Sequence, residues 1–78
     1  MVKEKEFIAN FAEQFEDYIP VLTLNTSFRT VDGWSSLIAL SVMAMCTEKY
    51  NVTIAAEEME KAEKVSDIYD IVNSRYNG

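Results

Sequence analysis

The chain has no histidine, and only one cysteine, one proline and two glycines stand among its 78 residues. Without histidine, a Ser-His-Asp or Cys-His nucleophile cannot be built. The single cysteine, Cys46, allows no internal disulfide, and with no histidine beside it the usual structural zinc sites are excluded. Gly33 and Gly78 cannot form a Gly-rich phosphate loop. We therefore expect a protein that is not an enzyme and holds no metal.

Basic residues and long apolar runs are also scarce. The chain has 7 Lys and Arg against 13 Asp and Glu, a formal net charge of −6. Nucleic acid is not an expected partner, because binding it begins with a cationic surface. The longest mainly apolar stretch, Leu37–Cys46, is too short to span a bilayer, and the first residues lack the apolar core of a signal peptide. We expect a cytoplasmic monomer without membrane insertion.

Hydrophobic residues make up 49% of the chain, which is enough to form one compact domain over residues 1–78. A first helix is predicted over about Lys3–Asp17, ended by Pro20. Its apolar stripe has three- and four-residue spacing and consists of Phe7, Ile8, Phe11, Phe15 and Tyr18.

Residues 20–35 show no strong helical periodicity and predict an unusually long loop. Five apolar side chains are expected to hold this loop on the helices: Val21, Leu22, Leu24, Phe28 and Val31. A short strand at Val21–Leu24, pairing with Val52–Ile54, is an alternative that we consider weaker, because an isolated hairpin is only marginally stable.

Three further helices follow. The second is predicted over about Ser36–Tyr50 and ends at Asn51, which can adopt the left-handed conformation. Its buried side is expected to consist of Leu37, Leu40, Met43, Ala44 and Tyr50. A short third helix fits Ala56–Lys61. A fourth fits about Asp67–Tyr76, with Ser66 as the N-cap and with Ile68, Ile71 and Val72 directed inward. The predicted fold is an all-α four-helix bundle with three longer helices, one short third helix and a long loop between helices 1 and 2.

The segment Asp32-Gly33-Trp34-Ser35-Ser36-Leu37 resembles the attachment motif of acyl carrier proteins, in which an Asp-Ser-Leu sequence often follows a glycine. The stretches LIALSVMAMCTEKYNVTI and EEMEKAEKVSDIYDIV resemble the second to fourth helices of that family, so the resemblance extends from Phe7 to Val72. It implies an acyl-carrier-like bundle that carries acyl groups as thioesters on a covalent 4'-phosphopantetheine arm. Leu37 places the arm on Ser36, with Gly33, Trp34 and Ser35 as its other neighbours.

The resemblance also implies partners: a phosphopantetheinyl transferase, and acyl-loading and acyl-processing enzymes of fatty-acid, polyketide or related biosynthesis. In the family, the exposed side of the second helix is often acidic, but here it offers Ile38, Ser41 and Met45 as docking candidates. The negative charge lies instead on the third helix, at Glu57, Glu58 and Glu60. We expect apolar contact from the first set and electrostatic attraction from the second.

Two observations keep alternatives open. Ser35 stands where the family has its acid, which leaves Ser35 as a rival attachment site and favours a second function: a carrier-like interaction module that has lost the arm. Ser36 could also serve only as the N-cap of the second helix, a role that serine fills well. A small enzyme is a third and weaker possibility, since the chain has no histidine.

Overall fold

The computed structural model describes residues 1–77, and over that range all its regular elements are helices, with no strand. Four α-helices follow one another: α1 (Glu4–Ala12), α2 (Ser36–Tyr50), α3 (Ala56–Lys61) and α4 (Val65–Arg75). The long connection between α1 and α2 contains one 3-10 turn, Phe28–Thr30. The predicted bundle of small helices, with a short third helix and a long loop between the first two, is confirmed, as are the bounds of α2 and α3.

Helix α1 is shorter than predicted, because it ends at Ala12 and not near Asp17. Tight backbone hydrogen bonds from Gln14 to Phe11 and from Phe15 to Ala12 turn the chain out of the helix. This exit lets the Phe15 ring pack against Trp34, with ring centroids 6.1 Å apart. Tyr18, predicted to lie on the buried stripe, is 45% exposed.

The long loop is held on the bundle by apolar side chains and by backbone pairing. Leu22 and Phe28 are buried and Leu24 and Val31 partly buried, as predicted, but Val21 is 97% exposed. The alternative pairing of Val21–Leu24 with Val52–Ile54 does not form. The loop instead pairs with the chain that enters α4. Three backbone hydrogen bonds make this join: Phe28 N–H to Glu63 O, Val65 N–H to Thr26 O, and Ser66 N–H to Leu24 O.

Helix α2 buries Tyr50 and partly buries Met43, as predicted, but the rest of its buried side differs from the prediction. Leu37 and Leu40 are 58% and 60% exposed, and Ala44 is exposed as well. The buried side consists of Ile38, Val42, Met45, Cys46 and Tyr50. Their spacing also matches one helical face. Because α2 is apolar on nearly all sides up to Thr47, the sequence pattern is compatible with burial of either face.

This rotation removes two residues from the predicted docking surface. Ile38 is 2% exposed and Met45 is 3% exposed, so neither can contact a partner. Ser41 is partly exposed. The expectation that Ile38 and Met45 lie on the outer side of α2 is therefore wrong.

Helix α4 begins two residues earlier than predicted, and Ser66 is not its N-cap. The Asp67 carboxylate closes this end by accepting hydrogen bonds from the backbone N–H groups of Glu63 and Lys64, both at 2.9 Å. Ile68 and Val72 are buried as predicted, and Ile71 is partly buried. At the end of α2, Asn51 adopts the predicted left-handed conformation, with φ of 55°.

The core runs through all four helices and the long loop. Its largest fully buried side chains are Phe7, Phe11, Phe28, Ile68, Val42, Val65, Val72 and Cys46. None of the helices within residues 1–77 has the length and apolar character needed to cross a membrane.

Candidate functional site

The two adjacent serines at the start of α2 occupy different positions. Ser35 has extended backbone angles and is the N-cap, and its Oγ accepts a hydrogen bond from the Ile38 N–H at 3.3 Å. Ser36 is the first helical residue and is exposed. Its hydroxyl has no hydrogen-bond partner among residues 1–77. The expectation that Ser36 could be only the N-cap is therefore wrong, because Ser35 has that role.

The start of α2 suits a negatively charged substituent. A 15-residue helix presents unpaired N–H groups and the positive end of its macrodipole at this terminus. The first turn of α2 contains no Asp or Glu that would offset that charge. A phosphate ester on the Ser36 hydroxyl would therefore be placed in a favourable field.

Gly33 shapes the loop that leads to the serines. The Trp34 N–H donates to the Val31 carbonyl at 3.1 Å, which closes a turn, and Gly33 is its third residue with φ of +91°. A positive φ at the third position is typical of a type II turn and favours glycine. An added Cβ would lie at an ordinary 3.7 Å from Phe15, so the backbone angle explains the glycine better than a lack of space.

Trp34 holds this turn against the bundle. Its ring centroid lies 4.6 Å from that of Phe28, 6.1 Å from Phe15 and 6.4 Å from Phe11, and it is nearly parallel to Phe11. Such aromatic contacts add directional stabilisation to the burial of apolar area. Trp34 thereby fixes the position of the serine pair relative to α1.

A cleft of about 280 Å³ opens beside Ser36. We name it the α2–α3 cleft and define it by its lining residues: Arg29, Trp34, Ser36, Ala39, Leu40, Met43, Ala56, Met59 and Glu60. Most of these side chains are apolar, and the charged ones are Arg29 and Glu60. The Ser36 hydroxyl, which the sequence predicts as the attachment site, thus lies at the edge of a mainly apolar cleft.

Arg29 joins the long loop to the end of α3. Its Nε donates to the Ala62 carbonyl at 2.8 Å, and its Nη2 donates to the carbonyls of Met59 and Glu60 at 2.7 Å each. The last carbonyls of a helix have no partner within the helix, so the guanidinium supplies the missing donors. Arg29 thereby positions α3, which forms one wall of the α2–α3 cleft.

The three acids predicted for partner attraction differ in their surroundings. Glu57 is exposed, and Glu60 lines the α2–α3 cleft. Glu58 is bound to Arg75, with Nη1 and Oε1 2.8 Å apart, and it also accepts from the Ala55 N–H. Hydrogen bonding to Arg75, helped by Ala55, lowers the pKa of Glu58 to about 2. Its charge is therefore partly compensated within the protein.

The sequence analysis did not predict the α2–α3 cleft, nor the role of Arg29 in positioning one of its walls. A signal was present, because Arg29 is the only basic residue between Lys5 and Lys49. The apolar walls could not be found in the same way, since Leu40 and Met43 were assigned to the core. Of the predicted neighbours of the arm, Trp34 lines the cleft with Ser36, whereas Leu37 is exposed and does not line it.

No family model, curated protein or solved structure matches this chain. The resemblance to acyl carrier proteins therefore depends on the motif around Ser36 and on the order of the helices.

Proposed function

We propose that this protein is an acyl carrier whose 4'-phosphopantetheine arm is attached to Ser36. The observation that carries the proposal is that the two adjacent serines have different structural positions. Ser35 caps α2, while the Ser36 hydroxyl is exposed and has no hydrogen-bond partner among residues 1–77. A transferase can therefore reach this hydroxyl without breaking the cap.

The attachment step is a phosphoryl transfer from coenzyme A. The Ser36 Oγ attacks the phosphorus that bears the pantetheine group, and a new P–O bond forms while the bond to the second phosphate breaks. Adenosine bisphosphate leaves, and the hydroxyl proton passes to a base of the transferase. The product keeps one negative charge on the phosphodiester, next to the N-terminus of α2.

The arm ends in a thiol that would carry acyl groups as thioesters for loading and processing enzymes of fatty-acid, polyketide or related biosynthesis. The chain's own thiol is unsuited to this task. Cys46 is fully buried, and burial raises its pKa to about 12. Because the thiolate is the nucleophile, we expect Cys46 to be unreactive at neutral pH.

On α2, the surface next to Ser36 that a partner enzyme would meet is apolar. Leu37 and Leu40, on the exposed side of α2, replace Ile38 and Met45 as contact candidates. Leu40 also forms part of the α2–α3 cleft. An enzyme that receives the arm would cover both leucines and bury apolar area there.

A second function is favoured by one feature, the serine at position 35 where carriers have an acid. A module that kept the fold but lost the arm would use the same exposed leucines for protein binding only. The two functions differ in whether Ser36 becomes modified.

The deciding experiment measures the intact mass after incubation with coenzyme A and a broad-specificity phosphopantetheinyl transferase. We expect a gain of one phosphopantetheine in the wild type and in Ser35→Ala, and no gain in Ser36→Ala. An arm found on Ser35 would overturn the assignment to Ser36. No gain with any transferase tested would favour the interaction module.

A further inference from the structure

Arg29 is more than a support for α3, because its hydrogen-bonding capacity is only partly used. A guanidinium has five N–H donors. Three of them, on Nε and Nη2, bind the carbonyls of Ala62, Met59 and Glu60. The two donors on Nη1 have no acceptor among residues 1–77. The bound side of the group holds it in place, while Nη1 keeps its donors for another molecule.

Arg29 also forms no ion pair with a carboxylate among residues 1–77. The one ion pair over residues 1–77 joins Arg75 to Glu58 and does not involve Arg29. Carbonyl groups satisfy donors but carry no full negative charge. Arg29 is exposed, and its guanidinium carbon lies 5.4 Å from the centre of the Phe28 ring. It is therefore a positioned, solvent-accessible cation in the lining of a mainly apolar cleft that also contains Ser36. A guanidinium in such surroundings prefers a carboxylate or a phosphate.

We propose that Nη1 of Arg29 binds an anionic group carried on the Ser36 arm. The proposal rests on the proposed function, since it requires an arm. Two anions have the chemistry: the phosphodiester of the arm itself, and a carboxylate at the end of the acyl cargo, as in a dicarboxylic acid joined through one of its carboxyls.

The size of the α2–α3 cleft agrees with a short cargo. Its volume of about 280 Å³ corresponds to roughly nine water molecules at ~30 Å³ each. A malonyl group, which has six non-hydrogen atoms, is small enough for that space when the arm folds back towards α2. Its carbon chain would contact the apolar walls formed by Leu40, Met43 and Met59 while its carboxylate contacts Arg29.

Glu60 acts against an anion in the same cleft. Its carboxylate makes no hydrogen bond to residues 1–77, and its backbone carbonyl is one of the three that bind Arg29. Glu60→Gln removes the negative charge and leaves the backbone bond in place. This substitution should therefore strengthen anion binding without loosening Arg29.

The test compares four forms of the isotope-labelled wild-type protein by NMR: apo, holo, malonyl-loaded and acetoacetyl-loaded. Acetoacetyl is the matched control, because a methyl ketone replaces the carboxylate in a group of equal atom count. The Nε–H signal of Arg29 reports on its guanidinium. A shift of that signal on going from apo to holo identifies the phosphodiester as the ligand. A shift with malonyl and not with acetoacetyl identifies the carboxylate.

A second readout is the pKa of the malonyl carboxylate, followed by its carbon shift. Contact with Arg29 should lower that pKa by about one unit, which is at the lower end for a carboxylate beside a guanidinium. If the carboxylate is the ligand, the lowering should be lost in Arg29→Gln, partly kept in Arg29→Lys and larger in Glu60→Gln.

An Arg29 signal that is the same in all four forms overturns the proposal and leaves Arg29 as the cap of α3 only. The intact mass of each form separates this result from failure of the proposed function. A chain that gains no arm refutes the carrier function, whereas an armed chain with an unchanged Arg29 signal refutes only the anion site.

Discussion

At the scale of single residues, the serine pair shows what the sequence left undecided. Both Ser35 and Ser36 are good N-cap residues, so the residue types do not say which one begins the helix. The backbone decides, because Ser35 is extended, with φ of −157°, and the helical conformation begins at Ser36. The Leu37 register predicts attachment of the arm at Ser36. In the structure the Ser36 side chain does not cap the helix, because Ser35 has that role.

The first prediction concerns the stability that each serine contributes. Ser35→Ala removes the side-chain oxygen that accepts from the Ile38 N–H, so the free energy of unfolding should fall by about 0.5–1 kcal/mol. Ser36→Ala should change it by less than about 0.5 kcal/mol, as is usual for an exposed position. Urea denaturation followed by circular dichroism provides both values. A larger loss for Ser36→Ala than for Ser35→Ala would contradict the assignment of the cap.

The second prediction concerns the thiols. Cys46 is fully buried with a pKa raised to about 12, so the folded apo protein should not react with Ellman's reagent on the timescale of minutes. The holo protein should release one equivalent rapidly, from the thiol of the arm. Cys46→Ala holo protein is the control and should react in the same way. Rapid reaction of folded apo protein would show that the thiol is accessible.

At the scale of the helices, α2 shows the limit of periodicity. Between Ser36 and Thr47 the helix carries no charged residue, so no polar stripe marks its outer face. Leu37 and Leu40 on one face and Ile38, Val42 and Met45 on the other both satisfy helical spacing. The choice depends on contacts with segments that are distant in sequence, such as the packing of Tyr50 against Phe7 of α1, with ring centroids 5.9 Å apart. The existence and bounds of α2 are local properties and were predicted correctly, whereas the prediction that Leu37 and Leu40 face the core was wrong.

The third prediction tests this orientation. Met45→Ala should lower the free energy of unfolding by about 2–4 kcal/mol, because it leaves a cavity in the core. Leu40→Ala, at a 60% exposed side chain, should lower it by less than about 1 kcal/mol. Chemical denaturation compares the two. Ile38→Val, with an expected loss of about 0.5–1.5 kcal/mol, serves if Met45→Ala does not fold. Equal losses at positions 40 and 45 would contradict the observed face.

The fourth prediction concerns the acid-dependent ends of α3 and α4. Hydrogen bonds from Arg75 and Ala55 lower the pKa of Glu58 to about 2, and backbone hydrogen bonds from Lys64 and Glu63 lower the pKa of Asp67. In the unfolded chain these pKa values are about 4.3 for Glu and 3.9 for Asp. Groups with a lowered folded pKa stabilise the protein fully above the unfolded values. That stabilisation is lost as the pH falls through the folded values.

Stability should therefore decrease as the pH falls from about 5 towards 2. Glu58→Gln and Asp67→Asn should each make this decrease shallower, with Glu57→Gln on the same helix as the control. Thermal denaturation across the pH range measures the effect. A decrease that is unchanged in both variants would exclude these two carboxylates as its cause.

At the scale of the whole molecule, the fold is completed by contacts between distant segments. The Val2 N–H donates to the Asn73 Oδ1 at 2.9 Å and the Tyr69 hydroxyl donates to the Val2 carbonyl, which join the start of the chain to α4. The α2–α3 cleft likewise needs α2, α3 and the long loop together. The sequence predicted the helices because their signals are local, and the proposal of Ser36 as the attachment site likewise depends on a local motif. The cleft could not be predicted, because no local sequence pattern indicates that α2, α3 and the long loop contact one another.

The uneven charge distribution leads to the last prediction, which concerns encounter with the transferase. The chain carries a net charge of −6, and exposed Glu57 and Glu60 lie on α3, which forms a wall of the cleft beside Ser36. Glu58 is a poorer source of attraction because Arg75 compensates it. Reversal at Glu57 should therefore slow attachment of the arm, since a basic partner surface would be attracted less.

Glu57→Lys and Glu13→Lys form a matched pair, because each replaces one negative charge by one positive charge and changes the net charge from −6 to −4. Glu13 is also exposed but lies at the end of α1. A unit charge about 10 Å from a partner charge in water is worth about 0.4 kcal/mol. Reversal at Glu57 should thus lower kcat/KM of the transferase by about two- to fourfold at low salt. Screening should remove the difference near 1 M salt, where the Debye length is about 3 Å. If the two variants behave alike at low salt, the position of the charge is irrelevant, and the acids of α3 act only through the net charge of the protein.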